Sequence, residues 1–332
     1  MQEEGNVKFI ELKKDLEKNI RPAYLINGND RYLCYSALEM IKKALGITLA
    51  EMNEVIMSGE SVTKEDIARS ASIFPFADNY RLIQVNDYNA KTKSKLGGDE
   101  LLTYLKNPMK ESVIIFFNLD SADALKPYLQ HLTVVDCDKL DESTIKAVLA
   151  NKITKSNAKM SREALETLVL YCNNDMARIT SELDKLICFA GEKEITKDDV
   201  SNLVVQDKEY QVFELAEFIA KGEKVKALDL IFTLSKSGYS GFSLLTPLYN
   251  NYRRALFVAI NKDKSEEEIA SLLGVKPYAV KMVKNQVRYF TPKKLKTIVD
   301  MLYEADRNIK TGKIKEEVAI KTVTLNILNI RG

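Results

Sequence analysis

The chain contains no tryptophan, a single histidine and four cysteines, and Cys34, Cys137, Cys172 and Cys188 form no Cys-x-x-Cys. Without that spacing a zinc site or disulfide frame is not indicated, and isolated reduced thiols are expected, with no metal and no cofactor. The histidine, His131, sits in KPYLQHLTVV, and no Gly-x-Ser-x-Gly accompanies it, so a hydrolytic triad has no recognisable parts. Acidic groups such as Asp136 with Asp138, Asp198 with Asp199 and Glu266 to Glu268 read as strand-end, helix-capping and solvent-facing residues. An excess of one charge is also missing: 49 basic residues face 47 acidic ones. That balance argues against a strong stand-alone polyanion binder, and any DNA contact is expected to be shared with partners. Nowhere do about 18 apolar residues run together. The opening Met-Gln-Glu-Glu does not lead a basic and then an apolar segment, so a soluble cytoplasmic protein without a membrane partner is expected.

One further absence is local. After the apolar stretch Ala23 to Ile26, where an α/β nucleotide-binding fold places its phosphate loop, the chain reads Asn27-Gly28-Asn29-Asp30. A P-loop needs a lysine for the β- and γ-phosphates and a hydroxyl for magnesium; here an acid, Asp30, stands near that place. The fold pattern points to a nucleotide-binding body, while its chemistry points to a mechanical or adhesive role.

What is present is ample for cores: 332 residues, 45% of them hydrophobic, allow two or three domains. Residues 7 to 18 place Val7, Phe9, Leu12 and Leu16 on one helical face, and Pro22 opens the strand Ala23 to Ile26. Further strands are predicted at Asn53 to Met57, Arg81 to Val85, Val113 to Phe117 and Thr133 to Asp136, alternating with helix-length segments. Such alternation indicates a parallel sheet covered by helices. After Asp138 strand signals stop. Ser143, Ser161 and Asp175 are candidate caps of three helices, the last ended by Gly191, and Thr196 with Asp199 resembles a capping box. From Asp207 onward the pattern is helical, punctuated by Gly222, Gly238, Gly274, Pro277 and Pro292. The expected divisions are 1–140, 141–206 and 207–332.

The stretches AYLINGND (23–30), IFPFADNYRLIQV (73–85), ELDKL (182–186), ITKDDV (195–200), VFELAEFIAKG (212–222), LGVKPYAVK (273–281) and DRNIKTG (306–312) resemble, in this order and spacing, the delta subunits of bacterial DNA polymerase III clamp loaders. The resemblance spans nearly the whole chain. It implies an AAA+/RecA-like α/β domain with a parallel sheet, a small helical lid domain and an all-α collar bundle. It implies no ATP hydrolysis, in line with the missing lysine. The partners it implies are the beta sliding clamp, the ATPase (gamma/tau) and delta-prime subunits, and primer-template DNA within the complex. Nucleotidyl transfer would attach to the chain only through membership of the holoenzyme.

Residues 70 to 82 read SASIFPFADNYRL, and Pro75 restricts Phe74 to extended backbone and stops any preceding helix. A stiff turn displaying aromatic side chains leaves less entropy to lose on binding. By the resemblance, Phe74 and Phe76, with Ile73 supporting, form the hydrophobic plug for the clamp. Here proline splits the aromatic pair, and one residue more than usual precedes Arg81, so the assignment covers both phenylalanines. The alternative is that these side chains cap the edge of the sheet core.

Residues 265 to 288 look like a helix-turn-helix, with Ile269, Leu272 and Leu273 before Gly274 and Val280 and Val283 after it. Lys281, Lys284 and Arg288 share a face and are candidate DNA phosphate contacts, which opens a second reading as a DNA-binding regulator. The collar reading makes this a bundle pair with a solvated basic face. A different clamp-loader subunit is the remaining alternative, but the motifs expected of one (a Walker lysine, a zinc knuckle or Ser-Arg-Cys) are absent.

Overall fold

The computed structural model describes residues 5–89, 99–119, 121–206, 208–236, 239–275 and 277–331. Asp207, Gly238 and Lys276, expected at a domain boundary, a turn and a motif position, lie outside them. The chain divides into two compact units, Met1–Lys159 with Asn174–Lys193, and Met160–Asn173 with Glu194–Gly332.

The first unit is built on a six-stranded sheet of β1 (Asn6–Lys8), β2 (Ala23–Asn27), β3 (Glu54–Ser58), β4 (Arg81–Asn86), β5 (Ser112–Phe117) and β6 (Thr133–Asp136). The strands run parallel in the order β1-β6-β2-β5-β4-β3. Every residue of β5 is buried, as is most of β2. A central strand covered on both faces must be apolar at consecutive positions, which is why SVIIFF does not alternate. One face directs Leu25, Ile83, Val85, Ile114 and Phe116 into a core with Ile67, Leu101, Leu105 and Leu125. Arg31–Leu45 forms a helix because Leu33, Ala37, Leu38, Ile41 and Leu45 recur at helical spacing on its buried side.

Two sequence expectations shift at the amino-terminal part of this sheet. The first helix is Phe9–Leu16, and Val7 belongs to β1 instead, pairing with Val135 of β6. Three residues carry too little periodicity to separate a short edge strand from the helix that follows. Asn53 closes the short helix Ala50–Asn53 rather than opening a strand, and β3 starts one residue later. Farther on, Asp141, not Ser143, caps the helix Glu142–Lys155, its carboxylate accepting from the Thr144 N–H at 2.9 Å.

The helix Lys64–Ala71 ends at the aromatic turn, and its start is pinned by a polar cluster. Lys64 Nζ lies 2.7 Å from Asp99, which also accepts from the Tyr128 hydroxyl at 2.8 Å and the Leu102 N–H at 3.0 Å. Burial alone would raise the Asp99 carboxyl, but the bond from Lys64 and the two other donors outweigh it and hold it below the ordinary carboxylate range. A carboxyl depressed in the folded state stabilises fully above its unfolded value of about 3.9, and that stability is lost as pH falls through the lower folded value. Urea titrations at pH 7 and about pH 3 are therefore expected to show Asp99→Asn losing less stability on acidification than the wild type. Equal losses would remove Asp99 from the acid response.

In the second unit the helix Gly241–Ile260 is central, burying Leu244, Leu245, Leu248, Tyr252, Ala255 and Val258. The helices Lys208–Lys221, Pro277–Val287, Pro292–Lys310 and Glu316–Arg331 surround it. A helix enclosed on several sides needs apolar residues beyond one stripe, as its sequence provides. Ser161 caps Arg162–Tyr171, and Thr196 with Asp199 forms a full capping box on Lys197–Leu203. The short strands Lys159–Met160 and Glu194–Ile195 interrupt a region with no strand signal; two residues are too few to show a period.

Candidate functional site

At the carboxyl end of β2 the chain spends its own polar groups on itself. The Asp30 side chain caps the helix Arg31–Leu45, accepting from the Leu33 N–H at 3.2 Å. The Asp30 N–H donates to the Cys137 carbonyl at 3.2 Å and the Asn29 N–H to the Asp138 carboxylate at 3.0 Å. In return the Lys139 N–H donates to Asn29 Oδ1 at 3.0 Å. Helix amino termini and adjacent amides are the groups that cradle phosphate in nucleotide-binding folds. Here two carboxylates of the protein occupy such donors in place of a phosphate, and a third anion would meet them. Nearby, Cys34 and Cys137 are both buried. All four cysteines are free thiols, and within this pair the neighbouring Cys34 thiol, together with burial, pushes the Cys137 thiol up.

The aromatic turn lies at the opposite end of the strands, just before β4. Ile73 is 49% exposed, Phe74 70% and Phe76 64%, so these side chains do not complete the sheet core. The helix Lys64–Ala71 stops at Ser72, whose hydroxyl donates to the Ala68 carbonyl at 2.8 Å. The chain then passes through Pro75 without regular structure until Arg81. Arg81 anchors the exit, donating to the Ser70 carbonyl at 3.2 Å and the Met52 carbonyl at 2.7 Å.

Two residues that sequence reasoning missed hold this turn. Asn53 is fully buried; its Oδ1 accepts from the Phe76 N–H at 2.7 Å and its Nδ2 donates to the Phe76 carbonyl at 2.9 Å. The same Nδ2 donates to Asp78 at 2.8 Å. Asp78 also accepts from the Thr48 hydroxyl at 2.7 Å and from the N–H groups of Thr48 and Leu49, at 3.1 and 3.0 Å. The Thr48 hydroxyl and the Leu49 N–H are the main causes that hold the Asp78 carboxyl down to about 2. Between Phe76 and Asp78, Ala77 has φ 58°, a left-handed conformation uncommon for a residue with a Cβ. The only sequence signal was polar residues beside an apolar turn, which says nothing about a partner 23 positions away.

In the second unit Ser265 and Glu268 form a capping box on Glu266–Leu273, Gly274 ends that helix at φ 62°, and Pro277–Val287 follows. Val280, Val283 and Gln286 are buried, Gln286 accepting from Asn251 Nδ2 at 2.8 Å, while Leu272 is 61% exposed. Lys281, Lys284 and Arg288 lie together on the exposed face. Lys284 pairs with Glu266 at 3.0 Å and Arg288 donates to Asn285 at 2.9 Å, so acidic and amide groups of the pair itself share that face. Among the described residues, no group of three or more His, Cys, Asp or Glu side chains is placed to hold a metal ion. Nor is any helix among them long and apolar enough to cross a membrane.

Known proteins resemble this chain in sequence and fold along nearly its whole length. The family model for the DNA polymerase III delta subunit matches residues 24–138, the model for the carboxy-terminal domain of that family matches 209–327, and a middle-domain model matches 142–202. The chain is 26% identical over 331 residues to the DNA polymerase III subunit delta of Bacillus subtilis (strain 168), covering 95% of each. It is 22% identical over 301 residues to the probable DNA polymerase III subunit delta of Aquifex aeolicus (strain VF5), covering 85% of this chain and 84% of that one. Among solved structures, the Bacillus subtilis DNA clamp loader delta protein superposes with a TM-score of 0.71 at 25% identity, covering 97% of this chain and 99% of that one. With delta-family models matching both ends and a relative aligned along nearly its full length, the chain belongs to the DNA polymerase III delta-subunit family.

Proposed function

We propose that this chain binds the β sliding clamp through Ile73, Phe74 and Phe76 and holds one interface of the ring open while the clamp is placed on primed DNA. The observation that carries the reading is a latched turn exposing two phenylalanines, in a chain of the delta-subunit family. In this reading residues 1–140 are the clamp-binding domain, 141–206 a helical lid and 207–332 a collar that joins the loader ring. The separate family-model matches at 24–138, 142–202 and 209–327 support that division. ATP turnover belongs to the gamma/tau subunits, which with delta-prime complete the ring. The self-satisfied turn at the end of β2 supports this, because its amides already serve Asp30 and Asp138. The setting is the cytoplasm, and the nucleotidyl transfer is that of the assembled polymerase.

Energetics limit what the plug does alone. Burying two phenylalanine side chains supplies about 3–6 kcal/mol before ordering costs, enough to anchor but not to pry open a stable ring. Opening needs differential affinity, so the elements flanking residues 60 to 80 are assigned contacts that fit the opened ring better than the closed one. The test is a pull-down of purified clamp with the isolated chain, alongside an ATPase assay of the same preparation. Clamp retention without turnover is expected; no retention, or nucleotide hydrolysis by the chain alone, sinks the reading.

The regulator reading loses support from the Lys284–Glu266 pair and the buried Gln286, which tie the would-be recognition helix into the bundle. Lys281, Lys284 and Arg288 are kept as phosphate contacts within the assembled loader. Binding of the chain alone to random duplex is accordingly expected to be weak and to fall steeply with salt. Site-specific nanomolar binding would favour the regulator instead.

A further inference from the structure

We infer that Asn53, seconded by Asp78, is the positioning residue of the aromatic turn, fixing its aim before the clamp arrives. This rests on the clamp-binding reading above.

Exposed phenylalanines on an untethered loop would fold back onto the nearest apolar surface, here the sheet edge where Ile56 is also exposed. Regular structure does not prevent this, because no helix or strand is formed between Ala71 and Arg81. One side chain supplies what a neighbouring strand would: Asn53 accepts from the N–H of Phe76 and donates to its carbonyl, at 2.7 and 2.9 Å. That reciprocal pair needs a donor and an acceptor on one planar group, which an amide offers and a carboxylate or an alkyl chain does not. The remaining Nδ2 proton goes to Asp78 at 2.8 Å, so neither Nδ2 proton is left over. Asn53 is itself fixed, being fully buried and directly followed by β3.

Ala77 shows the consequence. Its left-handed backbone reverses the chain immediately after Phe76, and such a conformation persists where the surroundings over-determine it. Phe76 is held on one side by Asn53, and Asp78 on the other by Thr48, Leu49 and Asn53. Residues 48–53 and 76–78 thus form one polar lock beneath an apolar tip. Pre-set geometry lowers the ordering cost of association, so the lock contributes to affinity without touching the partner.

The experiment measures clamp association and dissociation by surface plasmon resonance for wild type, Asn53→Ala, Asp78→Ala, Phe76→Ala and Asn53→Ala with Phe76→Ala, with hydrogen exchange of the Phe76 amide read in parallel. Asn53→Ala is expected to weaken clamp binding by about tenfold, mostly through faster dissociation, and to speed Phe76 amide exchange by about the same factor. Asp78→Ala, a change outside the core, gives a smaller loss in the same direction and decides the matter if Asn53→Ala does not fold. Because the lock works through Phe76, the two substitutions together cost less than the sum of their separate effects, whereas a residue needed only for stability would add in full. Wild-type chain that holds the clamp while Asn53→Ala and Asp78→Ala stay within about twofold of it overturns this inference and leaves the clamp-binding reading standing. Wild-type chain that ignores the clamp overturns both.

Discussion

Replacing Phe74 and Phe76 together by alanine is expected to reduce affinity for the sliding clamp by at least about a hundredfold while leaving the fold intact. The size follows from burial: a phenylalanine moved from water into an apolar pocket gains about 1.5–3 kcal/mol, and each 1.4 kcal/mol is a factor of about ten. Roughly two thirds of that gain is still available to a partner, because Phe74 is 70% and Phe76 64% exposed in the isolated chain. The same exposure keeps the cost to stability within about 0.5 kcal/mol, as for surface substitutions generally. Surface plasmon resonance against purified clamp, with circular dichroism melts as the control, checks both halves. The single substitutions then rank the two side chains. Pro75→Ala should cost about 0.4–1 kcal/mol of folding stability, since it restores freedom to the unfolded chain. Affinity unchanged in the double variant would return these side chains to a passive role at the sheet edge.

Gly28→Ala carries the second large effect, this time on stability. A Cβ at Gly28 would lie 2.2 Å from the Cys137 carbonyl carbon, 2.4 Å from its oxygen and 2.7 Å from the Asp138 nitrogen. All three are backbone atoms at the end of β6, the strand beside β2, so no side-chain rotation relieves the overlap. The turn or the strand end has to move, at a cost of about 2–4 kcal/mol. Displacement would also strain the bonds from Asp30 to Cys137 and from Asn29 to Asp138. Guanidinium unfolding should show the midpoint lowered with little change in slope. A wild-type midpoint would mean the turn is looser than these contacts require. The glycine standing where a phosphate loop would begin is therefore explained here by close approach of two protein backbones.

Much of the sheet was legible because burial on both faces leaves a mark that no local propensity mimics. AYLI and VIIFF are unbroken apolar runs between helix-length segments, and they form the bodies of the two neighbouring central strands. The edges were harder: β1 has three residues with one buried, and Asn53 preceding β3 gave the appearance of a longer strand. Helix caps were read well where one candidate stood alone, as at Ser161, and also at Asp175, the last of three neighbouring cap formers before its helix. At 141–144 several hydroxyls and acids compete, and only geometry shows that Asp141 binds the Thr144 N–H.

The functional turn divides the same way. Its chemistry was written in the order Ile73-Phe74-Pro75-Phe76, because proline restricts its neighbour through local sterics and apolar residues next to it have few local places to hide. Likewise the missing lysine after Gly28 was a property of the local sequence alone. What the sequence by itself determined, then, was an α/β body without phosphate-loop chemistry, a helical remainder and a stiff aromatic turn. Tertiary structure alone decided that the turn is exposed, that it stands at the end of the sheet opposite Gly28, and that Asn53 and Asp78 lock it. The physical reason is range: sterics and periodicity act over a few residues and are encoded locally, whereas a hydrogen bond between Asn53 and Phe76 exists only once the sheet has brought distant segments together.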